Sequence, residues 1–390
     1  MTKKSSAKTL GELIKNEMKE NKNFYLFSPD ETTSNKLDAV YDVDSRAWAN
    51  LDIKAQDMKE SDGGHIVELL SENTLFACML GAILAGNKAM MTSYEAFFSI
   101  ITSQIIQHLK FLEQSEKVSW REKYPAVNLL STSTCWRQDH NGFSHQSPVL
   151  ISTLLDRPGN NVNCFFPVDS ESMRAVFDYM MKSENVINLV TFNKTDEEQY
   201  IDGDHAYYQF EFGASIFGFA SDGDPFYLES ENNKFDFVFT AAGDIATREA
   251  LEAMKLIRGD MPELKLRFVN ILALTHEAIG TVGRKMSKEN FEKIYTKDAP
   301  IIANFHGYPE TLKHVLRNYT NVEIFAHGFE EQGSTTTPLQ MLTLNHASRF
   351  DLAIDVARKM NRNDLVEKYQ KTIDENRAHA NEFGVDLFEI

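Results

Sequence analysis

The sequence predicts an α/β fold made of two doubly wound domains, each with a mostly parallel β-sheet between layers of helices. Short apolar segments typical of buried strands alternate with segments of helical period along much of the chain, and this alternation indicates parallel sheets. The length of 390 residues is enough for two domains that each bury a core. We place an N-terminal arm at residues 1–22, a first domain at 23–200 and a second at 201–390.

In the first domain, apolar runs mark the strands and amphipathic runs mark the helices. A helix is predicted over residues 9–22, with Thr9 as its candidate N-cap. Apolar side chains at helical spacing predict one long amphipathic helix over residues 94–114. The other predicted elements are the strands 127–130, 163–167 and 187–192 and the helix 170–182.

The second domain repeats the alternation more regularly. Thr337 and Pro338 suit the N-cap and the first position of one helix. Residues 195–234 are rich in Asp, Glu, Gly and Asn, and we interpret them as the connection between the domains and the start of the second. The remaining elements are the strands 235–241, 266–274, 300–305 and 322–326 and the helices 247–257, 288–295, 310–316 and 363–383.

Composition limits the partners and the compartment. The formal net charge of −17 opposes binding to nucleic acid or to an anionic membrane. No apolar run reaches membrane-spanning length, and residues 1–8 lack the apolar core of a secretory signal. The three cysteines have no metal-ligand or disulfide-framework spacing, which suits a reducing compartment. We therefore expect a cytoplasmic protein without a metal site.

The segment Trp136–Gln146 has the densest group of chemically versatile side chains. Its guanidinium offers a planar fork of donors to an anion, its amides both donate and accept, and its imidazoles exchange protons near neutral pH. The segment follows the predicted strand 127–130, and open α/β sheets place their sites at the carboxyl ends of such strands. The candidate residues are Arg137, Gln138, His140, Asn141 and His145.

Trp136–Gln146 resembles the corresponding loop of the thiamine-diphosphate-dependent phosphoketolases. Those enzymes cleave xylulose 5-phosphate or fructose 6-phosphate with inorganic phosphate and release acetyl phosphate. Two further segments, Phe27–Asn35 and Glu331–Pro338, resemble motifs of the same family in the expected order. The resemblance covers only the second half of a phosphoketolase. It implies a transketolase-like pyrimidine-binding domain followed by a transketolase-type C-terminal domain.

The resemblance assigns cofactor contacts to three residues of the first domain. Glu72 stands where the family has the glutamate that hydrogen-bonds N1′ of the cofactor's aminopyrimidine. Tyr94 and Phe97 match aromatic residues that pack against the pyrimidine ring. Without the resemblance, the glutamate is equally a helix N-terminal residue that the helix dipole stabilises, and the two aromatic residues suit a core-facing helix.

The resemblance also assigns phosphate and substrate contacts. Ser34, Lys36 and Lys194 match positions that hold phosphate, but Lys36 replaces an arginine, so the charge is kept and the bidentate fork is lost. The residues alone favour turn and cap chemistry for Ser34 and a solvated surface position for Lys194. In the segment Trp136–Gln146, called the central loop from here on, His140 and His145 would exchange protons with the sugar hydroxyls. Gln138 and Asn141 of the same loop would orient the oxygens of the sugar.

Two stretches depart from the family pattern. Residues 86–91 lack an arginine, a histidine and a tryptophan, which suggests an altered pocket wall. After the central loop, Ser147 replaces an aspartate and Val149 replaces a glycine. If that glycine needed a positive φ, valine would be a poor replacement.

The second half of the cofactor site is missing from the sequence. Thiamine diphosphate is held between a pyrimidine-binding domain and a domain that binds its diphosphate through a divalent metal. The second kind carries Gly-Asp-Gly followed by a paired asparagine, and the nearest similar stretch, 222–224 with 232–233, lacks the second glycine and is spaced too closely. We therefore expect this chain to bind only the pyrimidine side, with Mg²⁺ on a partner domain.

Three explanations remain open for a half-length chain. It is a subunit of a split phosphoketolase whose diphosphate-binding half comes from another chain, a non-catalytic partner that assembles with or regulates a full-length phosphoketolase, or a fragment. The expected assembly is a homodimer or a hetero-oligomer, and the expected ligands are a sugar phosphate and inorganic phosphate. The retained site residues favour the first explanation.

Overall fold

The computed structural model divides into two compact units. Unit 1 comprises Met1–Thr134 and Gly159–Tyr207, and unit 2 comprises Cys135–Pro158 and Tyr208–Ile390. The predicted domains are continuous stretches of sequence, and their boundaries stay a prediction. Asp224, Asn232 and Asn233 of the Gly-Asp-Gly-like stretch lie outside the described residues. The structure describes residues 2–29, 31–47, 60–61, 63–138, 140–223 and 234–388.

The described residues form alternating strands and helices. The helices are α1 Ser6–Glu20, α2 Glu72–Leu84, α3 Thr102–Ser115, α4 Val149–Asp156, α5 Ser170–Met180, α6 Gly203–Phe212, α7 Asp244–Asp260, α8 Lys288–Tyr295, α9 Pro309–Arg317, α10 Pro338–Leu344, α11 Arg349–Lys359 and α12 Asn363–Phe383. The strands are β1 Lys3–Ser5, β2 Phe24–Ser28, β3 Arg46–Ala47, β4 Glu60–Ser61, β5 Ile66–Glu68, β6 Lys88–Tyr94, β7 Val127–Thr132, β8 Val162–Phe165, β9 Ile187–Thr191, β10 Asp196–Glu198, β11 Ala214–Ile216, β12 Phe237–Ala242, β13 Leu266–Ile271, β14 Ala273–Thr275, β15 Ala278–Thr281, β16 Arg284–Lys285, β17 Ile301–Phe305 and β18 Ile324–His327. No helix among them has both the length and the apolar character that a bilayer span requires.

The sheet of unit 1 is parallel, with strand order β8-β9-β7-β6-β2-β5-β3-β4. Its central strands are almost wholly buried, as expected for a sheet covered on both faces. The short strand β1 pairs antiparallel with β10, and α1 packs against α5.

Three buried asparagines occupy matching positions on β8, β9 and β7 of unit 1. The Nδ2 of Asn163 donates to Oδ1 of Asn188 at 2.9 Å, and the Nδ2 of Asn188 donates to Oδ1 of Asn128 at 2.8 Å. The Nδ2 of Asn128 donates to the carbonyl of Ala89 on β6 at 3.2 Å. Because these bonds form only when the strands are aligned, the ladder specifies the register of the sheet.

Replacing the central asparagine of the ladder is expected to destabilise unit 1. Asn188→Ala removes the donor to Asn128 and the acceptor of Asn163 in a dry interior, so we expect a loss of about 3 kcal/mol in the free energy of unfolding. Denaturant unfolding measures this loss, with the exposed Asn73→Ala as control. A loss no larger than that of the control would show that the ladder does not stabilise the sheet.

Unit 2 contains a five-stranded sheet of order β11-β13-β12-β17-β18. Strands β12, β13, β17 and β18 are parallel, and β11 joins one edge antiparallel. Strands β14, β15 and β16 form an antiparallel meander. Strand β13 lies on one side of β12, and the later strand β17 lies on the other side of β12. The carboxyl ends of β12 and β17 therefore flank the topological switch point. The predicted α/β class with mostly parallel sheets is confirmed.

Several predicted element boundaries are wrong. The first helix begins at Ser6, because the hydroxyl of Ser5 caps it by accepting from the backbone N of Lys8 at 3.2 Å. The predicted cap, Thr9, lies inside α1, and its hydroxyl donates to Ser170 at 3.0 Å. The single helix predicted over residues 94–114 is instead the end of β6, a 3₁₀ segment and α3.

The stretch of residues 195–234, predicted as a connection, contains regular structure. Strands β10 and β11 and helix α6 lie within its described part. The sequence of α6, GDHAYYQFEF, starts with glycine and has no simple apolar stripe, so its helical pattern is weak. By contrast, α8 and α12 have the predicted bounds, and Thr337 and Pro338 occupy the predicted positions at the start of α10.

Candidate active site

The first group of candidate residues lies at the carboxyl edge of the unit 1 sheet. Lys36 is in the loop after β2, Glu72 opens α2 shortly after β5, Tyr94 ends β6, and Lys194 follows β9. Parallel strands all end at the same edge, which is why residues far apart in the sequence gather here. This edge is the part of unit 1 where a ligand site is expected.

Glu72 is the first residue of α2. Ser71 is the N-cap, and its hydroxyl accepts from the backbone N of Thr74 at 3.3 Å. The half-buried carboxylate of Glu72 accepts from the hydroxyl of Ser93 at 3.4 Å, a long hydrogen bond. The position agrees with both interpretations of this residue, as a helix N-terminal glutamate and as a cofactor ligand.

Tyr94, Phe97 and Lys194 form a stacked group beside Ser93. The rings of Tyr94 and Phe97 are nearly parallel, with an interplanar angle of 8° and centroids 6.1 Å apart. The Nζ of Lys194 lies 4.7 Å from the centroid of the Tyr94 ring, which is cation–π geometry. Lys194 is therefore held against an aromatic face, whereas the residues alone suggested a freely solvated side chain.

Asn35 is a site residue whose role the sequence did not reveal. Its buried side chain donates to the hydroxyl of Thr92 at 3.1 Å and accepts from the hydroxyl of Thr132 at 2.7 Å. These bonds tie the loop after β2 to β6 and β7. They fix the backbone on either side, where Ser34 and Lys36 are exposed and Lys36 has a positive φ of 62°.

Glu68, at the end of β5, holds the same loop from the other side. Its carboxylate accepts from the hydroxyl of Thr32 at 2.6 Å and from that of Tyr41 at 2.8 Å, and it forms an ion pair with Arg46. Ser34 itself is engaged in turn chemistry, because its hydroxyl donates to the carbonyl of Glu31 at 3.1 Å. The loop is thus shaped by its own hydrogen bonds, as the turn interpretation expects.

The second group of candidate residues lies on the central loop, in unit 2. Trp136 is buried, its Nε1 donates to the carbonyl of His306 at 2.9 Å, and its ring meets Phe329 edge-on at 5.7 Å. His306 follows β17, so the loop is anchored at the switch point of the unit 2 sheet. Its apolar surroundings are Cys135, Ile245, Met341, Leu342 and Ala347.

Two amide side chains brace the central loop. The Nε2 of Gln146 donates to the carbonyl of Gln138 at 2.8 Å and to that of Ser334 at 3.0 Å. The Nδ2 of Asn141 donates to Oε1 of Gln138, which is itself buried. Gln138 and Asn141 are therefore hydrogen-bonded to each other, and their predicted role in orienting substrate oxygens stays a prediction.

The two candidate histidines differ in their surroundings. His140 is exposed, and His145 is half-buried with its Nδ1 2.9 Å from the hydroxyl of Ser144. Asp139 lies outside the described residues, and Arg137 is half-buried.

The segment Glu331–Pro338 packs directly against the central loop. A Cβ added to Gly333 would lie 2.1 Å from the ring of Phe143 and 2.4 Å from Oε1 of Gln146, so a side chain at this position would displace both groups. Gly142 has a φ of 76°, and a Cβ there would lie 3.0 Å from the hydroxyl of Thr335. Two of the segments that resemble the family are thus packed together in unit 2.

The departures from the family pattern occupy ordinary structural positions. Val149 is the first residue of α4 and does not have a positive φ, so the expected penalty for replacing glycine does not arise. The stretch 86–91 leads into β6, where Met90 and Met91 are buried in the core. The phenol of Tyr308 donates to Glu331, and burial together with this carboxylate raises the pKa of Tyr308.

The resemblance assigns a phosphate contact to Lys194, and removing the charge of this residue tests that assignment without disturbing the aromatic pair. In Lys194→Met the chain length is kept but the ammonium is lost, so for the reaction that the resemblance implies we expect the KM for the sugar phosphate to rise about tenfold or more. Steady-state kinetics of the assembled enzyme measures this, with Lys182→Met, an exposed lysine of unit 1, as control. An unchanged KM would remove Lys194 from the phosphate site.

Comparison with known proteins defines the fold first. A transketolase from Pichia stipitis in complex with sedoheptulose 7-phosphate matches with a TM-score of 0.69 at 15% identity, over 97% of this chain and 47% of that one. A structure described as a split gene transketolase, inactive β4 tetramer, matches with a TM-score of 0.61 at 14% identity, over 91% of this chain and 97% of that one. The protein has the transketolase-like α/β fold.

Family comparison is more specific. Residues 8–183 match the family described as D-xylulose 5-phosphate/D-fructose 6-phosphate phosphoketolase, and residues 194–390 match the C-terminal domain of the same family. The chain belongs to the phosphoketolase family.

Individual relatives agree with this assignment. The chain is 37% identical over 391 residues to a probable phosphoketolase of Methylococcus capsulatus, covering 98% of this chain and 47% of that protein. It is 35% identical over 402 residues to one of Rhodopseudomonas palustris, covering 100% of this chain and 50% of that protein. The chain therefore spans about half the length of the curated relatives it matches.

Proposed function

We propose that this chain is a subunit, or the C-terminal half, of a thiamine-diphosphate-dependent phosphoketolase. The assembled enzyme cleaves xylulose 5-phosphate or fructose 6-phosphate with phosphate, and it forms acetyl phosphate and an aldose phosphate. The observation that carries the proposal is the group at the carboxyl edge of unit 1, where Glu72 is bonded to Ser93 and the parallel rings of Tyr94 and Phe97 follow directly.

The residues of unit 1 fit the pyrimidine side of thiamine diphosphate. Glu72 offers a carboxylate whose bond to Ser93 is long, which leaves it able to accept a shorter bond from a ring nitrogen. Tyr94 and Phe97 offer aromatic faces to a planar ring. The bound cofactor supplies the carbon nucleophile that the side chains of the protein lack. The diphosphate and Mg²⁺ are assigned to another chain or domain, because the sequence has no Gly-Asp-Gly motif with a paired asparagine.

The side chains of this protein have separate tasks in the proposal. His140 and His145 exchange protons with the sugar hydroxyls. The paired amides of Gln138 and Asn141 orient substrate oxygens, and each well-aimed donor of this kind contributes roughly 3 kcal/mol to transition-state stabilisation. Ser34, Lys36 and Lys194 hold phosphate, with Lys36 acting as a point charge.

An exposed apolar face of α2 supports the expectation of a partner. The helix has apolar residues on all sides, although only one side faces the core of unit 1. Exposed apolar faces of this kind mark interaction surfaces. In the proposal another protein chain covers this face, as a second copy in a homo-oligomer or as the diphosphate-binding subunit. The exposed apolar residues of this face are Ala77, Cys78, Gly81 and Leu84 of α2, and the exposed Leu70 lies just before the helix.

Co-purification from the source cells followed by reconstitution tests the proposal. We expect the chain to be isolated with a second polypeptide that carries the Gly-Asp-Gly motif, and the mixture to form acetyl phosphate from xylulose 5-phosphate and phosphate. Each polypeptide alone is the control and is expected to be inactive. A complete complex that binds the cofactor but forms no acetyl phosphate would contradict the proposal. A cytoplasmic location, supported by three cysteines that form no disulfide bond, is tested by fractionating the same cells.

A second candidate is a non-catalytic assembly or regulatory partner of a full-length phosphoketolase. The observation in its favour is the stretch 86–91, where the arginine, histidine and tryptophan of the family are absent and Met90 and Met91 are buried in β6. This candidate predicts co-purification with a full-length enzyme. It also predicts that substitution of Glu72 or His145 leaves the activity of that enzyme unchanged.

A further inference from the structure

The C-terminal tail after α12 turns back onto unit 2. Gly384 ends α12 in the left-handed conformation, with a φ of 72°. The backbone N of Leu387 donates to Oδ1 of Asn376, a buried residue of α12, at 2.8 Å. The Nδ2 of Asn376 donates to Oδ1 of Asp386 at 3.0 Å. Asn376 therefore holds the tail in a defined position at Asp386 and at Leu387.

Asp386 supplies the N-terminal cap of α10. Its Oδ2 accepts from the backbone N of Leu339 at 2.8 Å, and its Oδ1 accepts from the hydroxyl of Thr337. Thr337 is the N-cap by position, but its side chain makes no cap bond of its own. The capping carboxylate thus comes from a residue 49 positions away from Thr337, and a negative charge at this end of a helix is stabilising.

The segment before α10 is held at its other end by Asn345. The Oδ1 of Asn345 accepts from the backbone N of Glu330 at 2.8 Å and from that of Gln332 at 3.2 Å, and its Nδ2 donates to the carbonyl of Gln332 at 3.1 Å. Residues 333–336 therefore lie between two fixed points, Asn345 on one side and Asp386 on the other.

Residues 333–336 are also where the central loop is held. Ser334 accepts from the Nε2 of Gln146, and that same nitrogen donates to the carbonyl of Gln138. Gly333 lies against Phe143 so closely that a side chain at position 333 would displace the ring. A displacement of the start of α10 is therefore transmitted to the central loop through a hydrogen bond and a tight contact.

We propose that Asp386 is a positioning residue for the central loop. By capping α10, its carboxylate fixes the segment 333–336 in the place where Gln146 can hold Gln138, and thereby holds Asn141 and His145 in their working arrangement. The catalytic part of this inference rests on the proposed function. The positional part concerns the folded chain alone.

Amide hydrogen exchange on the isolated chain tests the positional part. In Asp386→Asn one carboxylate oxygen becomes an amide nitrogen. Either the hydroxyl of Thr337 or the backbone N of Leu339 therefore loses the oxygen to which it donates. We expect peptides covering 331–340 and 136–146 to exchange about fivefold faster, while peptides of unit 1 are unchanged. The control is Asp374→Asn, an exposed acid of α12. Faster exchange confined to residues 337–344, with 136–146 unchanged, would overturn the proposal.

A second variant protects the test against simple misfolding. Thr337→Val keeps the shape of the side chain and removes only the hydroxyl that donates to Asp386, so α10 retains the bond at Leu339. We expect the same two peptides to respond, by a smaller factor than in Asp386→Asn. A response spread evenly over unit 2 in both variants would mean general destabilisation and would overturn the proposal as well.

Kinetics of the assembled enzyme tests the catalytic part. We expect Asp386→Asn to lower kcat for acetyl phosphate formation about tenfold with the affinity for thiamine diphosphate unchanged, because the residues assigned to the cofactor are in unit 1. An unchanged kcat in a variant with a loosened central loop would overturn the catalytic part. If the wild-type complex itself is inactive, the proposed function fails, whereas the exchange experiment still decides the positional part.

Discussion

In the proposed phosphoketolase complex, replacing Glu72 by glutamine is expected to reduce acetyl phosphate formation by about three orders of magnitude. Glutamine keeps the size of the side chain and its contact with Ser93, but it cannot exchange a proton with the aminopyrimidine ring. The measurement is the initial rate of acetyl phosphate formation by the reconstituted complex. The native mass of the complex is recorded alongside, because assembly is expected to be unchanged.

A matched control separates this effect from helix capping. Glu171 lies in the first turn of α5 in the same unit, where its carboxylate also faces a helix N-terminus. Glu171→Gln is expected to retain full activity. Full activity in Glu72→Gln would remove this residue from the cofactor site and would favour the non-catalytic candidate.

Replacing Glu249 by glutamine is expected to have the largest effect on stability. Glu249 of α7 is fully buried, and its carboxylate accepts from the Nη2, Nε and backbone N of Arg349 at 2.7, 2.9 and 3.0 Å. Glutamine removes the charge that is bonded directly to this largely buried guanidinium, so the free energy of unfolding is expected to fall by about 3–5 kcal/mol. Denaturant unfolding measures it, and Glu310→Gln, an exposed acid of α9 that is paired with Lys313, is the control.

The same ion pair makes stability depend on pH. Burial alone raises the pKa of Glu249, but the hydrogen bonds and the charge of Arg349 outweigh burial, so the pKa lies below its ordinary value of 4.5. A carboxyl with a lowered pKa in the folded state contributes stability that is complete above about pH 4.5 and is lost as the pH falls through the folded-state pKa. The acid limb of the wild-type stability curve is therefore expected to be less steep in Glu249→Gln. Identical acid limbs would contradict this account.

Local signals explain which elements could be predicted from the sequence. Strands such as β7 and β17 are short runs with several apolar residues in succession, and α10 begins with the Thr-Pro pair that marks a helix start. The error at α1 arose because Ser5 and Thr9 are both suitable caps. The contact that occupies Thr9 is with Ser170, which is 161 residues away, and no local pattern reports such a contact.

In the candidate site, too, the sequence could not reveal contacts between residues that are far apart along the chain. The sequence placed Glu72, Tyr94 and Lys194 on segments that do reach one sheet edge, but it could not show that Lys194 lies over the ring of Tyr94. Asn35 and Asp386 were missed because each acts through bonds to residues far along the chain. Their side chains are ordinary turn and tail residues until the fold brings them to β7 and α10.

The assignment of residues 135–158 to unit 2 has a consequence for how the chain folds during synthesis. Trp136 and Gln146 find their partners 170 and 188 residues later, and the apolar face of α4 is buried in the same unit. These side chains leave the ribosome long before the residues of β17 and α10 are synthesised. They therefore stay exposed while the two stretches of unit 1, which residues 135–158 separate in the sequence, fold together. Such non-local pairing slows folding. In a chain whose synthesis stops before residue 300, Trp136 and the apolar face of α4 would be an exposed apolar surface to which chaperones and other nascent chains can bind.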